Sequence, residues 1–175
     1  MTSKVVLITG ASSGIGLATA DLLNEAGFIV YGTSRDITNA AQYKFHLIEL
    51  DVNNNESVTH AVEKVLENEG RIDVLINNAG FAIAPAGAEE SSMQQAQAIF
   101  DTNFFGVVRM TRAVLPVMRK QNSGLILNTS SVLGLLPMPF GALYSASKQL
   151  SSSPAGFLFY TSDGRVISYQ IGCSK

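Results

Sequence analysis

A phenol and an amine lie four residues apart in "YSASK", as Tyr144 and Lys148. On a helix that spacing puts both side chains on one face. An ammonium beside a phenol favours the phenolate, so Tyr144 could give a proton to a carbonyl oxygen or take one from an alcohol. Upstream, "GLILNTSS" ends a candidate strand in hydroxyls. Ser131, at the carboxyl end of that strand, could hydrogen-bond the same oxygen as charge develops on it. Taken singly, a Tyr/Lys pair is more often a solvated helix face, and "TSS" after a strand is more often a turn or cap. What surrounds them decides.

A second constellation stands near the start. After "KVVLIT" comes "TGASSGIG", Thr9 to Gly16, with glycines at Gly10, Gly14 and Gly16. Glycines at such a strand-to-helix turn let the backbone approach a pyrophosphate and aim a helix N-terminus at it. A plain tight turn is the alternative for the glycines alone. No Lys-Ser/Thr follows the last glycine, which argues against a P-loop. Cofactor choice should be read at the end of the second strand, "YGTSRD". Ser34 stands where a ribose-binding carboxylate is expected, and Arg35 follows, which favours a 2′-phosphate and hence NADP(H) over NAD(H). Asp36 complicates this, unless it serves the turn in "DITNAA".

The elements that must position these groups follow from periodicity. Strands are expected over Lys4–Thr9, Phe28–Ser34, Phe45–Leu50, Ile72–Asn78, Gly124–Ser130 and Gly164–Ile171. Helices are expected over Ile15–Ala26, Asn55–Glu69, Met93–Arg119 and from about Ala142. Several strands are apolar on both faces, the mark of a parallel sheet covered on two sides. Alternation of this kind predicts right-handed βαβ units in an α/β, doubly wound parallel sheet. With 175 residues, one domain spanning 1–175 is expected.

Composition narrows the class. Hydrophobic residues make up 46% and charged residues 15%, with a net charge of −2. That balance suits a buried sheet and argues against a nucleic-acid surface. No apolar run reaches membrane-spanning length, and the single Cys173 fits a reducing cytoplasm. His46 and His60 have no metal-site spacing, so no metal is expected.

Six motifs in order now carry a resemblance: "TGASSGIG", "LDVNN" from Leu50, "NNAG" from Asn77, "DTNFFG" from Asp101, "NTSSVLG" from Asn128 and "YSASK". Together they resemble the short-chain dehydrogenase/reductase family, over most of residues 1–148. The resemblance implies a Rossmann-type NAD(P)-binding fold and an oxidoreductase moving hydride between a nicotinamide cofactor and a carbonyl or secondary alcohol. It implies Asn103, Ser131, Tyr144 and Lys148 as the catalytic tetrad. Ser131 rather than Ser130 fits, because it directly precedes "VLG". It further implies a cofactor site of Gly10, Ser12, Ser13, Gly14, Ile15, Gly16, Ser34, Arg35, Asp51, Val52, Asn77, Ala79 and Gly80, with Tyr144 and Lys148. By similarity Lys148 would hold the nicotinamide ribose, and Asn103 would position a water in a proton relay.

Residues 149–175 depart from the family pattern. From Gln149 to Ser162 no residue is charged, and Pro154 stands where the helix should continue. An interior proline breaks a helix at about 3 kcal/mol, here beyond Lys148; alternatively Ser153 caps a new helix with Pro154 at its first position. The last strand of the sheet and the substrate-binding segment are expected to be lacking. A catalytically weak or silent chain that at most binds cofactor is therefore the alternative reading. "LGLLPMPFGAL", Leu133–Leu143, hints at a hydrophobic substrate, or is simply packing. A homo-oligomer is left open, because the helix after Lys148 is altered.

Overall fold

The apolar runs become the strands of one parallel sheet. The computed structural model describes residues 3–83, 89–152 and 168–171. Its strands are β1 (Val5–Ile8), β2 (Ile29–Ser34), β3 (His46–Glu49), β4 (Val74–Asn77), β5 (Leu125–Thr129) and β6 (Ser168–Ile171). They lie in the order β3-β2-β1-β4-β5-β6, every neighbouring pair parallel. The chain passes from β3 at one edge back to β4 beside β1. The order therefore reverses between β1 and β4, where α/β sheets open a crevice at their carboxyl ends.

Between the strands run α1 (Gly14–Glu25), α2 (Asn55–Glu69), α3 (Met93–Phe100), α4 (Gly106–Gln121) and α5 (Ala142–Ser152). Alternate strand residues point to opposite faces, and the two cores follow this rule. Val5, Leu7, Leu75 and Ile126 pack with Val62 and Val65 of α2 and with Met110 and Val114 of α4. Val6, Ile8, Val30 and Ile76 pack with Ala20 of α1 and with Phe45. β1 is wholly buried, which explains why it carries no polar alternation.

α2 keeps the bounds expected from its sequence because both ends are signalled. Asn54 Oδ1 accepts the Ser57 N–H at 3.0 Å, and Gly70 takes φ +70° just past the end. The continuous helix expected over Met93–Arg119 is instead interrupted. A π-helical turn, Asp101–Phe105, separates α3 from α4. Its hydrogen bonds span i→i+5, one residue farther than those of an α-helix. Asn103, at its centre, is drawn inward by hydrogen bonds to Phe81 and Ser147, and Gly106 comes close enough to Val52 that a Cβ would meet it at 2.9 Å. Pro154, Ser153, the apolar 157–160 run and the expected start of the sixth strand at Gly164 lie outside the described residues. Among the described residues no helix is long and apolar enough to cross a membrane.

Candidate active site

A cleft of about 1060 Å³ opens at the carboxyl ends of the strands. One wall begins with the turn from β1 into α1. Gly10 (φ +68°) and Gly14 (φ +56°) adopt the left-handed region, and a Cβ at Gly16 would stand 2.2 Å from the Gly10 carbonyl oxygen. The three glycines are thus required by conformation and by close approach of helix to strand. The carbonyls of this turn are held by neighbouring side chains. Asn78 Nδ2 donates to Thr9 O at 3.0 Å and to Gly10 O at 2.9 Å, and the Tyr43 hydroxyl donates to Ser12 O at 3.2 Å. Buried Thr9 accepts the N–H groups of Asn78 and Ala79 through its Oγ1.

Two N–H groups of this loop are already engaged, Gly10 N–H with Thr33 Oγ1 at 3.3 Å and Ala11 N–H with Thr33 O at 2.8 Å, so the donors on offer are those of the first turn of α1, which lack intrahelical partners. Ser13 occupies the N-cap position of α1 but makes no side-chain capping bond. The caps of α2 and α3 contrast with this: Asn54 serves the former, and Ser92 with Gln95 forms a reciprocal capping box on the latter. An uncapped helix start, glycines beneath it and a cleft in front form a cradle that fits the pyrophosphate of a dinucleotide.

Farther along, Ser34, Arg35, Asp51 and Val52 line the cleft beyond β2 and β3. Asp36 is occupied within its own turn, accepting both the Thr38 hydroxyl at 2.6 Å and the Thr38 N–H at 2.9 Å. These two bonds hold its carboxyl below the ordinary value. Arg35 is exposed and forms no ion pair among the described residues. Cation and carboxylate, adjacent in sequence, are therefore in different situations.

The opposite wall carries Ser131, Tyr144 and Lys148. Ser131 caps a short 3-10 turn, its Oγ accepting the Leu133 N–H at 3.2 Å. That bond occupies a lone pair and leaves the hydroxyl proton to point elsewhere. Ser130 lies deeper, only 5% exposed. Lys148 is buried, and its Nζ donates to Thr129 O at 3.1 Å. Gly80 makes room beneath it, since a Cβ there would lie 3.2 Å from Lys148 Nζ and 3.0 Å from Asn103 Oδ1. Val132 lies at the cleft and is exposed, as are Leu135, Leu136, Met138 and Phe140 beyond it.

Of the residues expected from sequence, Gly10, Ser12, Ser13, Ile15, Ser34, Arg35, Asp51, Val52, Ala79, Gly80, Ser131, Tyr144 and Lys148 line the cleft together. Gly14 and Gly16 shape the turn behind it. Asn103 is 1% exposed and stands behind the wall, bridging Phe81 and Ser147. Asn77 is likewise buried away from the cleft; its Nδ2 donates to Asn128 Oδ1 at 2.8 Å, directly across β4 and β5. Asn78 faces the cleft in its place. Thr9, Tyr43, Asn78 and Ser147 were not singled out from sequence. Thr9 and Asn78 lie inside quoted motifs, so adjacency was their only signal; Tyr43 had none.

The sequence profile of the family described as short chain dehydrogenase matches residues 4–152. A 3-ketodihydrosphingosine reductase of Bacteroides thetaiotaomicron is 49% identical over 152 residues, covering 85% of this chain and 54% of the relative. Estradiol 17-beta-dehydrogenase 1 of Rattus norvegicus is 42% identical over 164 residues, covering 85% of this chain and 46% of the relative. The chain thus spans about half the length of these relatives. Among solved structures, ElxO with NADP bound has a TM-score of 0.79 and 30% identity, over 85% of this chain and 63% of its own. A 3-ketoacyl-(acyl-carrier-protein) reductase of Brucella melitensis complexed with NADH also has a TM-score of 0.79. It is 33% identical, over 83% of this chain and 64% of its own.

Proposed function

The chain belongs to the short-chain dehydrogenase family, and from that premise we infer that it is an NADP(H)-dependent oxidoreductase acting on a carbonyl or its secondary alcohol. The observation that carries this reading is the cleft itself. It sets an uncapped helix start and a glycine turn on one wall against Ser131, Tyr144 and Lys148 on the other.

The pyrophosphate would rest on the N–H groups at the start of α1, with the adenosine running past Asp51 and Val52. Arg35 would meet the 2′-phosphate, a role supported by its freedom and by the capture of Asp36 by Thr38. The ribose nearest the reaction would lie against Tyr144 and Lys148. When bound, the nicotinamide supplies the hydride.

The side chains move and hold the proton. In reduction, Tyr144 gives its phenolic proton to the substrate oxygen as the carbonyl carbon receives hydride, leaving a phenolate and an alcohol. Ser131, whose Oγ already accepts Leu133 N–H, donates its own proton in a hydrogen bond to that oxygen. Lys148, held by Thr129 O, offers the phenolate a neighbouring positive charge. Asn103 braces this wall from behind. In oxidation each step reverses.

The substrate class that fits best is a bulky apolar ketone or alcohol. Exposed Val132, Leu135, Leu136, Met138 and Phe140 supply apolar surface beside Ser131, and relatives named for 3-ketodihydrosphingosine and estradiol support the same choice. The test is loss of NADPH absorbance with the purified chain and a panel of long-chain 3-ketones, ketosteroids and short aldehydes. Turnover of the apolar ketones agrees with the reading. Turnover confined to small polar carbonyls overturns the substrate class, and none at all overturns the activity.

A further inference from the structure

Ser147 lies between the two residues of the Tyr/Lys pair and has no exposed surface. Its hydroxyl donates to the Tyr144 carbonyl at 2.8 Å and accepts from Asn103 Nδ2 at 3.1 Å. Asn103 is committed on every side. Its Oδ1 accepts the Phe81 N–H at 3.0 Å, and its Nδ2 also donates to Phe81 O at 2.9 Å. A primary amide has two protons on nitrogen, so one serves Phe81 and the other Ser147.

These bonds join three pieces of chain. Phe81 follows β4 and Gly80, Asn103 lies in the π-turn, and Ser147 belongs to α5. Two backbone-to-amide bonds fix Asn103 to Phe81, so Asn103 is a rigid bracket. Ser147 then carries that rigidity into α5, at the carbonyl of the residue bearing the phenol. A rotation of α5 that swung Tyr144 away from the cleft would pull Ser147 Oγ from Asn103. The lost bond would leave a donor buried and unmatched, which opposes the motion.

We propose that Ser147 is a positioning residue. Through Asn103 it fixes the rotation of α5, and hence the placement of Tyr144 and Lys148 over the reacting oxygen. The inference rests on the activity inferred above, but its first readout does not depend on it. Displacing a proton donor by about 1 Å can lower turnover by about a hundredfold. Binding of the dinucleotide depends mainly on the other wall and should change little.

The experiment compares the whole chain with Ser147→Ala and Ser147→Cys, the latter keeping the size but only a weak donor and acceptor. Side-chain amide resonances of Asn103 are followed by NMR hydrogen exchange, alongside kcat, KM and NADPH affinity. In the wild type both Asn103 Nδ2 protons should exchange slowly; in Ser147→Ala one should exchange fast. The kcat should fall about 10- to 100-fold in Ser147→Ala and less in Ser147→Cys, with NADPH affinity held within about twofold. Unchanged protection of Asn103, or kcat within about twofold of wild type, overturns the proposal. So does an equal loss of kcat and cofactor affinity. Should Ser147→Ala fail to fold, Ser147→Cys is judged by the same criteria. A wild-type chain that binds NADPH but reduces no ketone refutes the activity instead, and the exchange of Asn103 then decides the role of Ser147.

Discussion

The two walls of the cleft use their polar groups in opposite ways. On the glycine-turn wall, side chains restrain carbonyls: Asn78 holds Thr9 and Gly10, and Tyr43 holds Ser12. The start of α1 remains uncapped, so under the proposed function the binding groups would be backbone N–H groups. On the other wall the proposed working groups are side chains, each held by a neighbour: Ser131 by Leu133, Lys148 by Thr129, Asn103 by Phe81 and Ser147. A backbone site makes few demands on side-chain identity except glycine, where the chain must turn or approach closely. A side-chain site demands particular residues and a second layer that locks their rotamers. The two walls should therefore fail differently.

The largest expected effect falls on the catalytic wall alone. Tyr144→Phe removes the proposed proton donor, and kcat should drop by about 10²- to 10⁴-fold, while NADPH affinity, which loses at most one ribose contact, should change by far less. Lost binding would show that the walls are not separable in this way. Next comes Gly16→Ala, whose new methyl would stand 2.2 Å from Gly10 O. Overpacking against backbone of this kind costs about 1–3 kcal/mol or more, read as a lower unfolding temperature together with lost cofactor binding. Arg35→Ala should weaken NADPH by about 10- to 100-fold, the value of a charge-assisted bond of about 1.5–3 kcal/mol, and leave NADH nearly unchanged. Equal losses for both cofactors would remove Arg35 from the 2′-phosphate.

A control far from both walls concerns pH. Asp73, 6% exposed, is pushed up by burial, but bonds from Arg71 and the Val5 N–H and the charges of Arg71 and Lys4 bring its carboxyl below the ordinary range. A carboxylate held low in the folded state stabilises the protein above about pH 4 and loses that contribution as pH falls through its folded value. Asp73→Asn should cost about 1–2 kcal/mol near neutrality, with the partly exposed Arg71 discounted for solvent screening. Urea unfolding should also show a flatter stability curve below about pH 4 in the variant. The smallest effect separates capped from uncapped helices. Asn54→Ala should cost about 1 kcal/mol of stability, whereas Ser13→Ala, which removes no capping bond, should cost almost nothing by thermal unfolding.

Much of this was legible in the chain, for identifiable reasons. The parallel sheet followed from strands apolar on both faces, and α2 from Asn54 and Gly70 at its ends. The π-turn was not legible, because nothing local in "FDTNFFG" departs from a helical pattern; its cause is Asn103 bonding to Phe81, 22 residues away, and to Ser147, 44 residues away. The positions of Asn77 and Asn78 show a similar limit. Strand alternation puts Asn77 on the side of Leu75, in the core, and turns Asn78 toward the glycine loop. A motif shared by both residues does not say which one faces the cleft. The loop after Ser131 was ambiguous for another reason. An apolar segment can be buried or exposed, and here Phe140 is exposed at φ +61°, a backbone state uncommon for an aromatic residue.

The central claim is that this cleft binds NADP(H) through the open start of α1 and discriminates through Arg35. The measurement that meets it most directly is a titration of the purified chain with NADPH and with NADH, following cofactor fluorescence and thermal unfolding together. The account predicts saturable NADPH binding with a rising unfolding temperature, equivalent to about 2.7 kcal/mol at a hundredfold excess over Kd, and weaker binding of NADH. NADH binding as tight as NADPH, or no response to either, would contradict it.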